Sequence, residues 1–403
     1  MNSNKQLNIL YCEGNTDGTI GGSFYSLFYL VSGLDRAKYN PVVVFYYSNS
    51  VAEKLEKLNI KTIILRRPKP YISVKRMDRG RSRSFSIPLI FQKAINFTKF
   101  HIILSIKYAL LLKKYKIDLL HLNNSITKNH EWILAACLGR VRCITHERGI
   151  NTSFSRLARF YAKKLDAVIC ISQAVTKGLI DNKVVLRRSV TIYNGIDPER
   201  IIADTDEGGI RKLHGIEGDW TIIGVVGNIK KWKGQETAIK AMEHVVRLFP
   251  KTMCLLVGDT SEYDKDYLEY LKKLTQKLKL EQHITFTGYI ENVANYLNCM
   301  KIVLHTSLEP EPFGRVLIEA MAMKKPLIAA WAGAVSEIVK EGSTGFGFPP
   351  GDWHSLAEKI CKLLADEQLA FKFGTNAYQR LVELFDIKIN INSTMRLYDE
   401  LLK

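Results

Sequence analysis

The stretch TIIGVVG, residues 221–227, begins a second series of predicted strands and helices in a chain that has already completed one. It is an apolar run of the kind that forms a buried strand. The loop NIKKWK follows, and a helix is predicted from Gly234. Alternation of buried strands with helices favours a parallel sheet covered by helices, so the sequence predicts an α/β fold.

The first half of the chain alternates in the same way, with a predicted helix over 22–34 between its first two strands. Its predicted strands cover 7–12, 41–47, 61–65, 118–122, 142–146 and 167–172. In the second half, predicted strands cover 221–227, 253–258, 284–288, 302–306, 326–330 and 345–348. Predicted helices there cover 234–248, 262–280, 291–299, 313–324 and 334–341, and the end, 353–403, is predicted to be helical.

A chain of 403 residues is too long for one ordinary core. The polar stretch 203–219, rich in glycines and acids, is interpreted as a linker. We expect a first domain over 1–200 and a second domain over 201–380. The helical segment 381–403 is expected to pack back towards the first domain. Ligands of such sheets bind beyond the carboxyl ends of the strands.

Positive charge is concentrated in the first half of the chain. Residues 1–200 contain 33 Lys and Arg against 13 Asp and Glu, which leaves 25 basic and 27 acidic residues for the remainder. Between Lys61 and Lys116 there are fifteen basic residues and one acid, Asp78. This charge predicts a polyanionic partner: nucleic acid, a phosphorylated acceptor or an anionic membrane surface. No nucleic-acid recognition motif is present, so we expect no nucleic-acid partner.

Several features favour a cytoplasmic protein, with peripheral attachment to the cytoplasmic membrane face as a further option. No signal peptide is recognisable, and the seven cysteines contain no CxxC pair, so we expect free thiols. The longest apolar stretch, 87–112, is interrupted by Lys93, Lys99 and Lys107 and does not predict a membrane span. Aromatic residues interleave with the basic ones over 66–116, which suits contact with anionic lipid.

Two loops after predicted strands could approach a ligand. In EGNTDGTIGGSFYSL, Gly18, Gly21 and Gly22 allow a tight turn and a close backbone approach, although a purely structural turn is an equal alternative. In the second loop, Asn228, Lys230, Lys231 and Lys233 lie where a lysine could neutralise phosphate. Solvated loop lysines are the alternative there.

SLEPEPFGRVLIEAM, residues 307–321, places two glutamates eight residues apart. Pro312 suits the first position of a helix over 313–323, so Glu311 is predicted at its mouth and Glu319 two turns inside. Eight helical residues advance about 12 Å. Two carboxylates so placed could hold two hydroxyl clusters of an extended ligand. Between the two glutamates, the start of the predicted helix presents the backbone N–H groups of Phe313, Gly314 and Arg315. Such groups can bind a phosphate. Sugar, phosphate and ribose in a row match a nucleotide sugar.

The motif EPFGRVLIEAMA resembles the E-x7-E signature of the retaining glycosyltransferases of family 4. The resemblance covers nearly the whole chain, because further motifs follow in the family's order: KIDLLHLN, RCITHERG, AVICISQAV, TIYNGID, VVGNIKKWKG, LLVGD, ITFTGYIENVANYL and GAVSEIVKEGSTGFGFPPGD. It implies the GT-B fold, in which two Rossmann-like domains face each other across a cleft. The N-terminal domain, 1–200, would then lie on the acceptor side, and the C-terminal domain, 201–380, would bind the nucleotide sugar.

The resemblance also implies roles for individual residues in donor binding. Glu311 would bind the hydroxyls of the donor sugar, Glu319 those of the ribose, and Lys233 the diphosphate. Position 228, most often arginine in the family, is Asn228, so one charge is missing. Lys230 or Lys231 could replace it, or the helix could carry more of the load. The remaining donor-site positions implied are Gly21, Gly22, Phe313, Gly314, Arg315, Val316 and Leu317.

The family often carries an active-site histidine on its first domain. His146, at the end of the predicted strand RCITH, is the preferred acceptor-side residue, since histidines at the carboxyl end of a strand can face a ligand. Asn123 is the alternative, and His121 is expected to be structural. Glu309 cannot begin the signature, because the residue eight positions later is Leu317. Glu337 is expected to have a structural role or to support the residues that contact the ligand. The DTD motif 204–206 lies in the predicted linker, so no metal role is expected.

The implied reaction transfers a sugar from a nucleoside diphosphate, UDP or GDP, to an acceptor hydroxyl with retention of configuration. His146, Glu311 and Lys233 would be its catalytic residues. No metal or other cofactor is expected. The acceptor is predicted to be a glycan or lipid-linked precursor of a polysaccharide or lipopolysaccharide. An inverting transferase, a nucleotide-sugar epimerase and a basic nucleic-acid-binding protein are the alternatives.

Overall fold

Two parallel sheets organise the chain. The structure, a computed structural model, describes residues 6–16, 21–69, 71–72, 87–205 and 207–403. Within these residues the chain divides into two units. Unit 1 comprises Met1–Ile171, Thr176–Ile192 and Ile391–Lys403, and unit 2 comprises Ser172–Val175 and Tyr193–Asn390.

Unit 1 contains one sheet whose described strands lie in the order β3-β2-β1-β4-β5-β6-β7 and pair in parallel. The strands are β1 (Leu7–Cys12), β2 (Tyr39–Phe45), β3 (Lys61–Ile64), β4 (Leu119–Leu122), β5 (Arg142–Glu147), β6 (Ala167–Cys170) and β7 (Ser189–Thr191). The helices are α1 (Gly22–Ser32), α2 (Ser50–Lys57), α3 (Ile87–Phe97), α4 (Leu104–Lys114), α5 (His130–Gly139), α6 (Arg156–Ala162) and α7 (Gln173–Asp181), the last starting in unit 2. A π-helical segment, Thr98–Ile103, joins α3 to α4.

Unit 2 contains a second parallel sheet, with described strands in the order β10-β9-β8-β11-β12-β13. Its strands are β8 (Thr221–Val226), β9 (Thr252–Val257), β10 (Ile284–Gly288), β11 (Ile302–His305), β12 (Leu327–Ala330) and β13 (Gly345–Phe348). Its helices are α8 (Glu207–Leu213), α9 (Gln235–Leu248), α10 (Lys265–Lys277), α11 (Val293–Cys299), α12 (Arg315–Ala322), α13 (Val335–Ile338), α14 (Trp353–Ala365) and α15 (Glu367–Leu384). Helix α16 (Ile387–Leu402) starts in unit 2 and belongs to unit 1 from Ile391.

Both sheets reverse their strand order at one point, between β1 and β4 in unit 1 and between β8 and β11 in unit 2. Loops that leave such a pair of strands diverge to opposite faces and open a crevice at the carboxyl edge, where doubly wound sheets bind ligands. We call these places the unit 1 and unit 2 switch points. The α/β prediction and the predicted strand positions are confirmed, because four- to eight-residue apolar runs define buried strands well.

Two local predictions are wrong, and one strand was missed. The predicted linker 203–219 contains helix α8, whose Arg211 pairs with Glu207 one turn earlier at 2.5 Å. The edge strand β7 was not predicted, since its three residues are too short and polar to give a pattern. Helix α12 begins at Arg315, not Phe313, because Gly314 has the left-handed φ of 86° and interrupts the helical backbone before it.

By its length and composition, the helix Ile90–Lys114 could cross a membrane. The sequence analysis predicted no membrane span here, because lysines interrupt the apolar stretch. One face packs on unit 1: Tyr108 is buried and stacks on Trp132 of α5 at 4.1 Å between ring centroids. The basic stretch 66–88 lies largely outside the described residues. All seven cysteines are free, as expected; five are buried and Cys137 is exposed.

Candidate active site

The unit 2 switch point is built by two loops that are fastened together. The loop after β8 contains Lys233, whose carbonyl accepts a hydrogen bond from the Thr306 hydroxyl at 2.8 Å, just after β11. Gly234 has φ of 67°, and a Cβ there would lie 2.1 Å from the Thr306 carbonyl oxygen. Only glycine fits this close approach. Lys233 is therefore held at the end of β11.

Lys233, Glu311 and His305 form a charged group at this point. The Lys233 ammonium donates to Glu311 Oε2 at 2.7 Å, and His305 Nε2 lies 3.3 Å from the same oxygen. Burial raises the pKa of Glu311, but the hydrogen bond from His305 and the charge of Lys233 outweigh it and hold this pKa at about 2. Glu311 is thus a carboxylate at neutral pH. Nδ1 of His305 is buried and has no hydrogen-bond partner among the described residues.

The backbone of Glu311 is fixed by the loop after β12. Its carbonyl accepts from the Ala334 N–H at 2.8 Å, and its N–H donates to the Ala332 carbonyl at 3.4 Å. Gly333, between them, has φ of 67°, and a Cβ there would lie 2.3 Å from the Glu311 carbonyl oxygen. The absence of a side chain at 333 therefore allows Glu311 to approach Lys233.

The second glutamate of the signature, Glu319, lies one turn inside α12 and accepts from Arg315 at 3.1 Å. Because α12 begins only at Arg315, the prediction that Glu311 and Glu319 are joined by continuous helix, about 12 Å apart along its axis, is wrong. The side chains of Phe313 and Leu317 are buried. These two positions can offer a ligand only backbone groups.

The other predicted phosphate-binding residues of this loop differ in their surroundings. Asn228 is exposed, and its backbone carbonyl accepts a hydrogen bond from the Gln235 side chain at 3.0 Å. Lys230 lies 4.0 Å from Asp264, whereas Lys231 is exposed. Both lysines lie in the same short loop as Asn228, and the carboxylate of Asp264 offsets part of the charge of Lys230.

Three other carboxylates considered in the sequence analysis, Glu309, Glu337 and Asp204, lie outside this group. Glu309 is an exposed loop residue. Both carboxylate oxygens of Glu337 accept backbone N–H groups, those of Gln173 and Ala174, at 2.7 Å. Asp204 is exposed, and Asp206 lies outside the described residues. No cluster of three or more His, Cys, Asp or Glu side chains that could hold a metal occurs in the part of the chain that the structure describes.

In unit 1, the two histidines of the sequence analysis are in contact. His121 Nε2 and His146 Nδ1 are 2.7 Å apart, and their rings stack at 4.7 Å between centroids. His121 Nδ1 lies 2.5 Å from the hydroxyl of Tyr398, on α16, which in turn lies 2.9 Å from the hydroxyl of Tyr11. His146, placed near the end of β5, is thus the outer member of a buried hydrogen-bonded chain.

Both histidines are neutral at pH 7. Burial lowers the pKa of His121 to about 3, with a smaller contribution from the charge of Arg148. Burial, Arg148 and His121 together hold the pKa of His146 well below its usual range. A neutral, fully buried His121 agrees with the structural role expected for it.

Asn123 is fully engaged by its own unit. Its amide donates to Glu13 Oε2 at 2.5 Å and to the Ser23 carbonyl at 3.0 Å, while its oxygen accepts from Arg148 at 2.7 Å. Gly21 and Gly22 lie at the start of α1 and are exposed, and open space surrounds the position of a Cβ on Gly21. Gly18 lies outside the described residues.

Two family models cover most of the chain. The Glycosyltransferase Family 4 model matches residues 20–200, and the model described as Glycosyl transferases group 1 matches residues 206–380. The chain belongs to the group 1 glycosyltransferases of family 4. The predicted family resemblance is confirmed, and with it the GT-B fold class.

Relatives of this glycosyltransferase include two bacterial proteins that match more than half of its length. It is 27% identical over 309 residues to N-acetyl-alpha-D-glucosaminyl L-malate synthase of Bacillus anthracis, covering 74% of this chain and 79% of that one. It is 28% identical over 242 residues to the capsular polysaccharide biosynthesis glycosyltransferase CapM of Staphylococcus aureus, covering 59% and 62%. The chain therefore matches somewhat less than two thirds of CapM.

Solved structures share the fold of the glycosyltransferase. The Anabaena protein HepE, in complex with UDP, matches with a TM-score of 0.80 at 24% identity, over 98% of this chain and 100% of that one. A glycosyltransferase from Rickettsia africae matches with a TM-score of 0.80 at 22% identity, over 99% of both chains.

The sequence analysis missed three residues at the two switch points of the glycosyltransferase. His305 contacts Glu311, Glu13 binds Asn123, and Tyr398 binds His121. Glu13 and His305 each lie at or directly after the end of a strand, which was the reason for choosing His146. The same rule applied to every strand would have found them. Nothing in the sequence near Tyr398 indicates its contact with β4.

Proposed function

We propose that the glycosyltransferase moves a sugar from a nucleoside-diphosphate sugar to an acceptor hydroxyl with retention at the anomeric carbon. The observation that carries this proposal is the Lys233–Glu311–His305 group at the unit 2 switch point. It places a carboxylate beside a cation, next to the start of α12. A sugar hydroxyl and a phosphate need these two charges side by side.

The ion pair of Lys233 and Glu311 would open when the donor binds. The ammonium would move to the diphosphate, which carries more charge than one carboxylate, and Glu311 would then accept hydrogen bonds from the sugar hydroxyls. In the free protein the pKa of Glu311 is about 2, so Glu311 is ionised and carries no proton to deliver when the donor arrives at neutral pH. Glu311 therefore orients the donor and does not act as the general acid of a hydrolase.

The leaving diphosphate would be stabilised by Lys233 and by the positive end of α12, beginning at Arg315. In the proposed step the bond from the anomeric carbon to the phosphate oxygen breaks, and the acceptor oxygen forms a bond on the same face. The proton of the acceptor hydroxyl goes to the departing phosphate. These charges supply the stabilisation that a metal would otherwise provide, so we propose a metal-independent reaction.

Glu319 is proposed to hold the ribose hydroxyls. It lies within α12, and its carboxylate is paired with Arg315 at 3.1 Å. The Anabaena HepE structures include complexes with UDP and with UDP-glucose, which supports a uridine or similar nucleotide here. We propose both UDP-sugars and GDP-sugars as donors.

On unit 1, His146 is proposed to contact the acceptor. Its Nδ1 is occupied by His121, so only Nε2 can reach a ligand. Since the ring is neutral, the acceptor would meet an uncharged donor or acceptor of a hydrogen bond. Asn123 is a weaker candidate because Glu13 and Arg148 already use its amide.

The acceptor is proposed to be a glycan or lipid-linked precursor, reached at an anionic membrane surface. The outer face of the helix Ile90–Lys114 carries exposed apolar side chains between lysines, and this pattern suits the interface of an anionic bilayer. The exposed apolar residues are Ile90, Phe91, Ile95, Phe97, Ile102, Ile103, Ile106 and Leu110. Co-sedimentation should show a salt-sensitive preference for phosphatidylglycerol vesicles over phosphatidylcholine vesicles. Equal binding to both would remove the membrane part of the proposal.

A thermal-shift panel of UDP-, GDP- and ADP-sugars tests the donor. We expect at least one to raise the melting temperature in proportion to the logarithm of its concentration. Glu311→Gln should lose this shift, whereas Glu309→Gln, an exposed glutamate of the same loop, should keep it. If no nucleotide sugar stabilises the protein, the proposal fails.

Retention is tested separately by the product. Once donor and acceptor are known, NMR of the product should show the anomeric configuration of the donor. An inverted product, or an epimerised nucleotide sugar without transfer, would support the alternatives. EDTA should leave the rate unchanged, and a loss that Mg²⁺ restores would contradict the metal-independent part of the proposal.

A further inference from the structure

An indole ring lies beside the ammonium of the unit 2 switch point. Trp232 directly precedes Lys233 in the loop after β8, and Lys233 Nζ lies 4.2 Å from the centroid of the Trp232 ring. A cation within about 6 Å of a ring centroid is attracted to the face of the ring, and tryptophan attracts cations more strongly than tyrosine or phenylalanine does. The ammonium of Lys233 is therefore held by an uncharged ring as well as by the carboxylate of Glu311.

The backbone fixes the point from which both side chains leave. Residues Lys231–Lys233 form one turn of 3-10 helix. The carbonyl of Trp232 accepts a hydrogen bond from the Leu308 N–H at 2.7 Å. The carbonyl of Lys233 accepts from the Thr306 hydroxyl at 2.8 Å. Two consecutive residues are thus fastened to the segment after β11, so the half-buried indole cannot move away from the lysine by a shift of its loop.

The two partners of the ammonium differ in what happens to them when the donor binds. Glu311 holds Lys233 with a full negative charge, at 2.7 Å. In the proposed reaction it gives up the ammonium to the diphosphate and turns to the sugar hydroxyls. The indole carries no charge, so it does not compete with the diphosphate for the cation. An ammonium has three N–H groups, and it can bind phosphate oxygens while one side of it stays on the ring.

The ring matters more after this exchange than before it. Lysine has a flexible four-carbon stem, and once Glu311 releases the ammonium, holding that stem in one position has an entropic cost. The indole contact offsets part of this cost. The Lys233 side chain is 21% exposed, and a diphosphate bound to it would cover this remaining surface. The attraction between a cation and a ring strengthens when water is removed from around them.

The other lysines of this loop are placed differently. Lys231 is exposed, and Lys230 lies 4.0 Å from the carboxylate of Asp264. A diphosphate could still attract either of them, so a loss of affinity in a Trp232 variant does not by itself identify Lys233 as the cation concerned. Both lysines remain in Lys233→Ala. That variant therefore isolates the contact between the ring and the Lys233 ammonium.

We propose that Trp232 is a positioning residue of the donor site. Its indole face keeps the Lys233 ammonium in one place after Glu311 has released it, so that the cation meets the diphosphate already oriented. Trp232 acts through Lys233 and contacts no reacting atom. This inference rests on the proposed function and adds a residue to it. The ring should strengthen nucleotide binding only while residue 233 is a cation.

The test is a double-mutant cycle on the full chain, measured by calorimetric titration with UDP and GDP. Trp232→Leu removes the ring but keeps an apolar side chain, and it should weaken binding about three- to tenfold, the range of a cation–ring contact. In the Lys233→Ala background the same change should alter affinity less than twofold, because this background lacks the ammonium. A merely structural role of Trp232 would weaken binding equally in both backgrounds.

Rescue by a conservative variant is the second readout. Trp232→Phe keeps a ring face and should recover most of the affinity that Trp232→Leu loses. It also decides the question if Lys233→Ala binds too weakly for the cycle to be completed. If Trp232→Leu does not fold, Trp232→Gln takes its place, since its polar side chain suits a half-buried position and has no ring.

Tyr378→Leu is the matched control. Tyr378, on α15 of the same unit, is also a half-buried ring beneath a lysine, with Lys324 Nζ 5.2 Å from its centroid. Both residues lie outside the loops after β8 and β11, so this variant should bind the nucleotide like the wild type. The inference is overturned if Trp232→Leu binds like the wild type or like an equally weakened control. Equal losses in the two backgrounds, or a phenylalanine variant no better than the leucine variant, would also overturn it.

The same titrations separate this inference from the proposed function. If the wild type binds UDP or GDP and Lys233→Ala binds it more weakly, the donor site stands, and unchanged affinity in Trp232→Leu removes the role of the ring alone. If the wild type binds neither nucleotide, the proposed donor site fails, and the role of Trp232 fails with it.

Discussion

The two switch points have the same strand order but opposite electrostatic character. In unit 1, the carboxylate of Glu13 is bound by the neutral amides of Asn123 and Asn124, and the neighbouring histidines are neutral. In unit 2, the carboxylate of Glu311 is bound by a lysine. In unit 1 the neutral amide of Asn123 therefore lies between the charged groups of Glu13 and Arg148, whereas in unit 2 the opposite charges of Lys233 and Glu311 are in direct contact.

This difference indicates how one fold divides the labour of group transfer. In the proposed reaction a charged donor needs a cation that can leave its partner, and we propose Lys233 for this role. An acceptor hydroxyl needs groups that neither repel it nor take its proton too early, and we propose the histidines of unit 1, whose pKa values burial lowers, for that role. The fold supplies the position of each site, whereas the side chains after β1, β4, β8 and β11 decide its chemistry.

Removing Lys233 should have the largest effect, because it abolishes the ion pair that distinguishes the unit 2 switch point. Lys233→Ala should lower kcat/KM about 10²–10³-fold, the usual loss when one group that stabilises transition-state charge is removed. Lys301→Ala is the control, since Lys301 of the same unit also pairs with a glutamate, Glu367, at 2.5 Å. Steady-state rates with the donor found in the thermal-shift panel measure both. Equal losses in the two variants would show that Lys233 has no special role.

Gly333→Ala should be the next largest effect. The added Cβ would meet the Glu311 carbonyl oxygen at 2.3 Å, on a backbone with φ of 67°. We expect the free energy of unfolding to fall by about 2–4 kcal/mol, with weaker donor binding. Gly342→Ala separates contact from backbone strain, because Gly342 has φ of 68° with open space around it. It should cost only about 1–2 kcal/mol. Denaturant titrations should therefore rank the two variants in this order.

Acid should destabilise the unit 1 switch point through its histidines. The folded pKa of His121, about 3, lies below its unfolded value of about 6.5, so between these values the unfolded chain binds more protons. The free energy of unfolding therefore falls as the pH falls through this window. His121 contributes about 1.4 kcal/mol per pH unit there. Glu147 acts in the opposite sense, because burial raises its folded pKa to about 7.

The contribution of His121 is measured as a difference. The slope of unfolding free energy against pH, between pH 5 and 6, should be smaller in His121→Asn than in the wild type by about one bound proton. An unchanged slope would mean that His121 is protonated in the folded protein. The comparison between a neutral and a charged switch point would then be wrong.

Asn228→Arg should have the smallest effect. It adds a positive charge at the unit 2 switch point and so tests whether charge there governs nucleotide binding. Asn228 is exposed and stands where the family most often has arginine. Restoring the charge should tighten UDP binding about threefold, and the gain should shrink at high salt. Calorimetric titration at two salt concentrations measures it. A gain that is insensitive to salt would show that the new side chain acts by contact and not by charge.

The sequence predicted the sheets better than it predicted the sites. Strand positions followed from short apolar runs, because burial on both faces leaves an unbroken apolar signal. The start of α12 did not follow, because the left-handed backbone of Gly314 overrides the preference of Pro312 for a helix start. The pairing of Tyr398 with His121 joins residues 277 positions apart in the sequence, which no local pattern encodes. His305 is only six residues from Glu311, and its place at the end of a strand would have indicated it.

The central claim is that the ion pair of Lys233 and Glu311 is the donor site, and calorimetric titration of the wild type and Lys233→Ala with UDP and GDP tests it most directly. We predict that the wild type binds at least one of them and that Lys233→Ala binds it at least tenfold more weakly, a loss of about 1.4 kcal/mol or more. Lys301→Ala should bind like the wild type. Equal affinity of Lys233→Ala and the wild type would contradict the claim.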